Sequence, residues 1–487
     1  FIPMCAFEQS EKGMEFNMHN LTVENIIEIS NGKLIVGNKK DECQNFSKDT
    51  RSLIKGDTYI GIKGENFDGN SLWENALENG AKTVIVQGVN FDDVNLEKWI
   101  KEEKNIILVE DTRKTLQDMA MYKRNLYGKD FPLVAVTGSV GKTSTKDMIS
   151  SVLSQKFKTL KTEGNHNNDI GLPFTILKLR DEEVAVIEMG MNHFGEIRLL
   201  TSIAKPTISV ITNIGTSHIG NLGSRENILK AKLEILEGME EPKIVINEDN
   251  DLLNKWHKEN ISGIDIHTYG IEEKAEVMAK NIELKEDCSV FDCVIGNESI
   301  SIKVPVSGIH FVYNAICAAT VGKLMGLSSE EIKKGIESFS LTKKRMDITD
   351  LKNGVKVIND SYNASFESMQ ASLKSLSEYK NNRKIAVLGD MFELGEYTEE
   401  LHRKVGREVV KNNIDVLICC GESAKYIVDE AKTLGFDCNN LYYFKDKDDV
   451  LKFLVDNSKK DDVILFKASN GMKFFEIANS FIGYNLV

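Results

Sequence analysis

An α/β protein of three domains, built mainly on parallel sheets, is what the sequence predicts. Three observations carry that expectation. Short apolar runs alternate with amphipathic stretches from Phe131 to about Ser340, as a parallel sheet with crossover helices requires. The alternation resumes after Leu341, where Gly389 and Gly421 each close an apolar run, at the strand end where open α/β sheets bind ligands. Leu133-Val-Ala-Val-Thr-Gly-Ser-Val-Gly-Lys-Thr-Ser-Thr-Lys146 reads as a buried strand, a glycine loop and a helix start. At 487 residues the chain is long enough for three cores.

In chain order, Leu21–Ile29 reads as a short helix with Thr22 near its N-cap. Tyr59–Ile62 is a strand, Gly64–Asn70 a loop and Ser71–Glu78 a helix, followed by strands at Thr83–Val86 and Ile106–Val109. These make a small α/β domain over residues 18–110. A helix over Leu116–Tyr127 leads into the glycine loop. In the central domain, residues 111–340, strands are expected at Leu133–Val136, Val184–Glu188, Ile208–Thr212 and Lys243–Ile246. Alternation over Ile282–Val306 marks a small antiparallel patch, and helices follow at Phe311–Met325 and Ser329–Ser338. Residues 341–487 form a third, doubly wound domain with strands at Val355–Ile358, Ile385–Leu388, Val416–Cys419 and Val463–Phe466. Residues 1–17 show no basic start followed by an apolar run and are expected to be an upstream extension.

Composition narrows the function classes. Hydrophobic residues make up 41% and charged residues 28%, ordinary for a globular protein. The net charge of -13 argues against nucleic acid or an anionic membrane as partner, so an anionic substrate needs local basic pockets. No stretch of 18 apolar residues is present to span a membrane. The eight cysteines show no CxxC spacing, as expected of reduced thiols in a cytosolic protein.

The chemistry-bearing residues cluster at strand ends. In the glycine loop, Thr137, Gly138, Ser139, Gly141, Lys142, Thr143 and Ser144 form a candidate nucleotide site. Backbone N–H groups and the helix dipole would hold phosphate there, Lys142 would reach the β- and γ-phosphates, and the Thr143 hydroxyl would ligate Mg²⁺. Glu188 ends the next apolar run, where a second Mg²⁺ ligand would sit. His218 follows another strand end and by itself reads as an ordinary histidine as readily as a ligand. Lys232 lies on a helix, where the local pattern expects a solvated lysine. Asn165, Asn167 and Asn168 form an amide-rich turn suited to a polar ligand. Arg345 stands in a basic hinge able to clamp a γ-phosphate, or in a plain exposed linker. Asp360 and Tyr362, after a strand of the third domain, offer a hydroxyl acceptor and a stacking surface.

Taken together, these residues resemble the Mur ligases of peptidoglycan synthesis over residues 20–487. The matching stretches are Thr137-Gly-Ser-Val-Gly-Lys-Thr-Ser-Thr-Lys146, Thr162-Glu-Gly-Asn-His-Asn-Asn168, Glu188-Met-Gly-Met-Asn-His-Phe-Gly-Glu196, Thr212-Asn-Ile-Gly215 with His218, Ala231-Lys-Leu-Glu-Ile235, Tyr362-Asn-Ala364 and Val387-Leu-Gly-Asp-Met-Phe-Glu-Leu-Gly395. The resemblance implies a UDP-binding N-terminal domain, a central ATPase domain and a Rossmann-like C-terminal domain that receives the incoming amino compound. It implies ATP and Mg²⁺, with Thr143, Glu188 and His218 serving the metal and Lys232 carbamoylated. Lys142, Lys232, His218 and Arg345 would carry catalysis. Asn314 would lie near adenine, and Arg345 and Asp360 would reach ATP from the third domain. Thr50 and Arg51 would lie near UDP, and Asn165, Asn167, Asn168, Tyr362 and Asn363 would hold substrate. The Glu-Met-Gly and Gly-Asp-Met-Phe-Glu-Leu-Gly stretches look like the branch that adds D-alanyl-D-alanine to UDP-N-acetylmuramoyl-tripeptide, working as a cytoplasmic monomer. The alternatives are a sibling adding one amino acid, a folylpolyglutamate synthetase-like ligase, and a non-catalytic nucleotide-binding homologue. Departures from the family pattern are Phe311 and Asn470, where asparagine and arginine are usual, and Asn359 and Phe366, where aspartate and proline are frequent.

Overall fold

The computed structural model describes residues 20–260, 262–341 and 346–486. The expected upstream extension, 1–17, and the candidate Arg345 lie outside the described residues. The chain divides into two compact units, one running to Gly128 and including Ile176–Arg180, the other comprising Lys129–Thr175 and the chain from Asp181.

The first unit holds a five-stranded sheet in the order Lys33–Val36, Asn105–Leu108, Thr83–Val86, Thr58–Ile60 and Phe46–Ser47. Its first pair is antiparallel and the others are parallel. Tyr59, Trp73, Val84, Trp99 and Ile106 fill the core, and the Tyr59 hydroxyl donates to Gly69 O at 2.7 Å. Thr22 caps the helix Val23–Ser30 in a reciprocal box with Asn25, which fixes that helix's start. The helix Thr112–Leu126 packs on Val23–Ser30, so the compact unit continues past residue 110 to Gly128.

The second unit contains two sheets. The larger has nine strands in the order Glu298–Val304, Ser289–Ile295, Val277–Leu284, Asp265–Gly270, Lys243–Asn247, Ile208–Ile211, Leu133–Thr137, Val184–Glu188 and Thr159–Lys161. From Val277–Leu284 to Thr159–Lys161 neighbours run parallel, and Leu133–Thr137 and Val184–Glu188 are buried throughout, which explains their unbroken apolar runs. The antiparallel patch is not separate. It starts at Val277, earlier than the alternation suggests, and continues the parallel sheet through Tyr269↔Val277. One of its faces stays wet, hence the alternating pattern. The helix Ile309–Leu324 packs against Lys142–Leu153 and against this extension.

The smaller sheet orders Asp347–Asp350, Lys356–Asn359, Asp462–Lys467, Arg383–Gly389, Val416–Cys420 and Leu441–Phe444, parallel except at the first pair. Its core gathers Val357, Val387, Ile418, Ile464, Phe466 and Phe474. Asp390, just past Arg383–Gly389, is buried. Its carboxylate accepts the N–H groups of Glu422, Ser423 and Ala424 at 3.0, 3.0 and 2.7 Å, at the start of the helix Lys425–Thr433. A Cβ at Gly421 would fall 2.3 Å from Asp390 Oδ1, so only glycine lets the carboxylate in.

Candidate active site

In the nine-stranded sheet Leu133–Thr137 comes first in sequence and has later strands on both sides. Strand order reverses there, and the crevice at the carboxyl ends of such strands is where open α/β sheets take ligands. The glycine loop leaves this strand. Gly141 caps the helix Lys142–Leu153 with φ of 81°, a left-handed conformation suited to glycine. A Cβ at Gly138 would come 1.9 Å from Thr212 Oγ1, so the loop could not lie against the neighbouring strand end with any larger residue. Thr212 Oγ1 donates to Val140 O at 2.7 Å and Asn213 Oδ1 accepts from Val140 N at 3.1 Å, which fixes the loop from the side. Lys142 Nζ donates to Gly138 O at 2.8 Å and Ser139 O at 3.3 Å, holding the ammonium over the loop.

Beside the loop the Thr143 hydroxyl donates to Glu188 Oε2 at 2.7 Å, and Asn167 Nδ2 donates to Glu188 Oε1 at 2.8 Å. Thr143 and Glu188 are buried. A helix-start hydroxyl, a strand-end carboxylate and an amide from the asparagine turn thus converge. Asn168 has a second duty: its Oδ1 accepts from Gly171 N at 2.8 Å. Asn314 Oδ1 accepts the Thr145 hydroxyl at 2.9 Å, tying the helix Ile309–Leu324 to the loop helix.

These groups line a cleft of about 650 Å³ whose other wall comes from the smaller sheet. The candidates that line it are Ser139, Gly141, Lys142, Thr143, Ser144, Asn165, Asn167, Asn168, Glu188, His218, Asn314, Asp360, Tyr362 and Asn363. Thr137 is fully buried in its strand, behind the loop. Thr50 and Arg51 lie in the first unit. There the guanidinium of Arg51, exposed on the surface, pairs with Asp49 at 2.7 Å and holds that carboxyl at about 2.

Lys232 corrects the local expectation of a solvated side chain. It is 1% exposed and makes no hydrogen bond or ion pair among the described residues. Burial, and then the neighbouring Lys142, push its ammonium well below the usual lysine range. The helix Arg225–Leu233 has no strongly amphipathic pattern, so sequence spacing alone does not reveal which side is inward. Phe311 is buried too, its ring 4.2 Å from that of His310.

Other lining residues escape the sequence reading. Lys467, at the end of a central strand, donates to Asp360 Oδ2 at 2.5 Å, and the Ser372 hydroxyl donates to the same oxygen at 2.6 Å. Glu367 accepts from Thr216, and Glu393 meets His218. Lys467 and Glu393 share one signal, a charged residue at or just past the end of an apolar strand. Glu367 sits in the first turn of a helix, where an acid is unremarkable.

The chain matches the family models for the Mur ligase family catalytic domain over residues 44–124, the Mur ligase middle domain over 136–322 and the Mur ligase glutamate ligase domain over 344–470. It is 37% identical over 475 residues to a UDP-N-acetylmuramoyl-tripeptide–D-alanyl-D-alanine ligase of Bacillus subtilis, covering 95% of this chain and 98% of the relative. The crystal structure of MurF from Acinetobacter baumannii superposes with a TM-score of 0.83 at 29% identity, covering 95% of this chain and 99% of that one. MurF ligase from Thermotoga maritima, in complex with ADP, gives a TM-score of 0.76 at 27% identity over 91% of this chain and 98% of that one. On these matches and this site, the chain belongs to the Mur ligase family.

Proposed function

We propose that this chain is an ATP-dependent amide-bond ligase that joins D-alanyl-D-alanine to the terminal carboxylate of UDP-N-acetylmuramoyl-tripeptide in the cytoplasm, for peptidoglycan synthesis. The observation that carries the reading is the Thr143–Glu188 contact of 2.7 Å beside a glycine loop, within a cleft whose opposite wall comes from a second sheet. The printed activity of the Bacillus subtilis relative supplies the substrates.

The chemistry follows from the carboxylate's poor reactivity. Its oxygen attacks the γ-phosphorus of ATP and ADP leaves, giving an acyl phosphate. The neutral amine of the dipeptide then attacks the acyl carbon, phosphate departs, and the nitrogen loses a proton. Lys142 and the loop N–H groups would spread charge on the transferring group. Closure of the cleft would exclude water and align amine with acyl carbon.

Among the described residues no three His, Cys, Asp or Glu side chains cluster to hold a metal. Mg²⁺ bound through nucleotide phosphates needs only one or two protein oxygens, and the Thr143 hydroxyl and Glu188 carboxylate provide them. When bound, Mg²⁺ would neutralise charge on the phosphoryl oxygens. Burial, which lowers the Lys232 ammonium, favours the free amine that adds CO₂, and this supports a carbamate there. The ¹³C resonance of a carbamate in bicarbonate-labelled protein, absent from Lys232→Met, would test it. Arg345 and Asp360 on ATP, Asn314 near adenine, Thr50 and Arg51 on the UDP moiety, and a monomeric state belong to the same reading.

The deciding experiment is phosphate release from ATP, Mg²⁺ and UDP-N-acetylmuramoyl-tripeptide, with D-alanyl-D-alanine or with single D- or L-amino acids. Release that requires the dipeptide is expected. Equal release with a single amino acid would move the assignment to a sibling ligase, and no release from folded, nucleotide-binding protein would leave a non-catalytic homologue.

A further inference from the structure

In the second unit a polar joint links the loop after Ile208–Ile211 to the smaller sheet. Glu367 accepts the N–H and hydroxyl of Thr216 at 2.8 and 3.0 Å. Gly220 N–H donates to Glu393 O at 3.0 Å, and the Tyr397 hydroxyl donates to Gly223 O at 2.8 Å. The two backbones lie so close that a Cβ at Gly220 would stand 2.6 Å from Gly395 N.

Inside this joint His218 Nδ1 meets Glu393 Oε2 at 2.5 Å. Both residues have left-handed backbones, with φ of 63° at His218 and 61° at Glu393. Non-glycine residues hold that conformation at a cost, so surrounding contacts must impose it on each partner. A carboxylate only accepts, so Nδ1 donates in this contact and Nε2 is left for other groups. Nε2 has no hydrogen bond among the described residues, and His218 lines the cleft that also contains Thr143 and Glu188.

We propose that Glu393 is a positioning residue: by accepting the Nδ1 hydrogen bond it fixes the His218 ring so that Nε2 is presented to the magnesium–nucleotide complex, and it does so only when the two parts of the unit are docked. This rests on the reading that His218 serves the metal. Glu393 lies 175 residues from its partner, so the metal site is completed by the same motion that brings the acceptor domain in. A carboxylate behind a ligating histidine both orients the ring and raises its basicity.

The test uses the full chain, with Mn²⁺ and ADP as probes, and reads Mn²⁺ affinity and ¹⁴N modulation by electron paramagnetic resonance. His218→Ala reports on the underlying reading. Glu393→Ala should weaken Mn²⁺ binding about ten- to a hundredfold. It should add nothing in the His218→Ala background. Glu393→Gln, which keeps an acceptor oxygen, should restore most of the affinity. Tyr397→Phe, which cuts the same joint away from His218, should bind Mn²⁺ normally. Loss in His218→Ala but not in Glu393→Ala would overturn the role of Glu393 alone. Equal loss in Tyr397→Phe would overturn it too, because docking in general would then be the cause. No loss in His218→Ala would remove the reading beneath it.

Discussion

Lys142 and His310 show how differently two basic side chains lining the cleft behave. Lys142 is held over the loop by two carbonyl oxygens, at 2.8 and 3.3 Å, where the transferring phosphoryl group would develop charge. Lys142→Ala should lower phosphate release about a hundred- to a thousandfold while circular dichroism stays unchanged. His310 is half-buried at the cleft wall, and burial, with Asp360 opposing and Lys467 assisting, lowers it to about 4. Unfolded, the ring titrates near 6.5, so between about 4 and 6.5 the unfolded chain binds more protons. Its contribution to stability is therefore present above 6.5 and lost as pH falls through about 4, up to about 3 kcal/mol. The urea midpoint of the protein should fall relative to that of His310→Phe as pH drops across that window. Parallel curves would exclude the effect. The state of His310 does not follow from its neighbours in sequence. Lys142 is legible because glycine loop and lysine are contiguous, whereas the burial of Lys232 and His310 is imposed by elements far along the chain.

At the scale of elements, strands with unbroken apolar runs are legible, and edge strands are not. Leu133–Thr137 and Val184–Glu188 announce themselves because both faces are covered. Thr159–Lys161 and Asp347–Asp350 lie at sheet edges and stay partly exposed, so their residues carry no run to read. Asp265–Gly270 escapes for the opposite reason. It bridges the parallel and antiparallel parts, and its polar start resembles a loop. Helix packing adds a constraint the spacing cannot show. Gly335 of the helix Ser329–Glu337 sits where a Cβ would fall 2.4 Å from Val152 Cα on the phosphate-loop helix. Gly335→Ala should therefore destabilise by about 1–3 kcal/mol. It should also weaken ADP binding, because the loop helix must shift. Unchanged urea midpoint and ADP affinity would show that the helices part freely.

On the scale of the whole molecule, two sheets of the second unit each present their carboxyl ends to one cleft, yet only one keeps an open phosphate loop. The glycine-loop site, Glu188 and, on the facing wall, Asp360 and Tyr362 are legible at strand ends. The contacts between walls, Glu367 with Thr216 and Glu393 with His218, span 151 and 175 residues and required the fold. Calorimetric titration with ADP should give one site per chain, and a second site of comparable affinity would refute the asymmetry. Its origin is Asp390, whose carboxylate occupies the backbone N–H groups of Glu422, Ser423 and Ala424. That side chain acts as a tethered competitor. A free phosphate would have to displace an anion whose effective concentration is on the order of millimolar or higher. Inorganic phosphate consequently finds the start of the helix Lys425–Thr433 already taken, and product would not settle at that helix end.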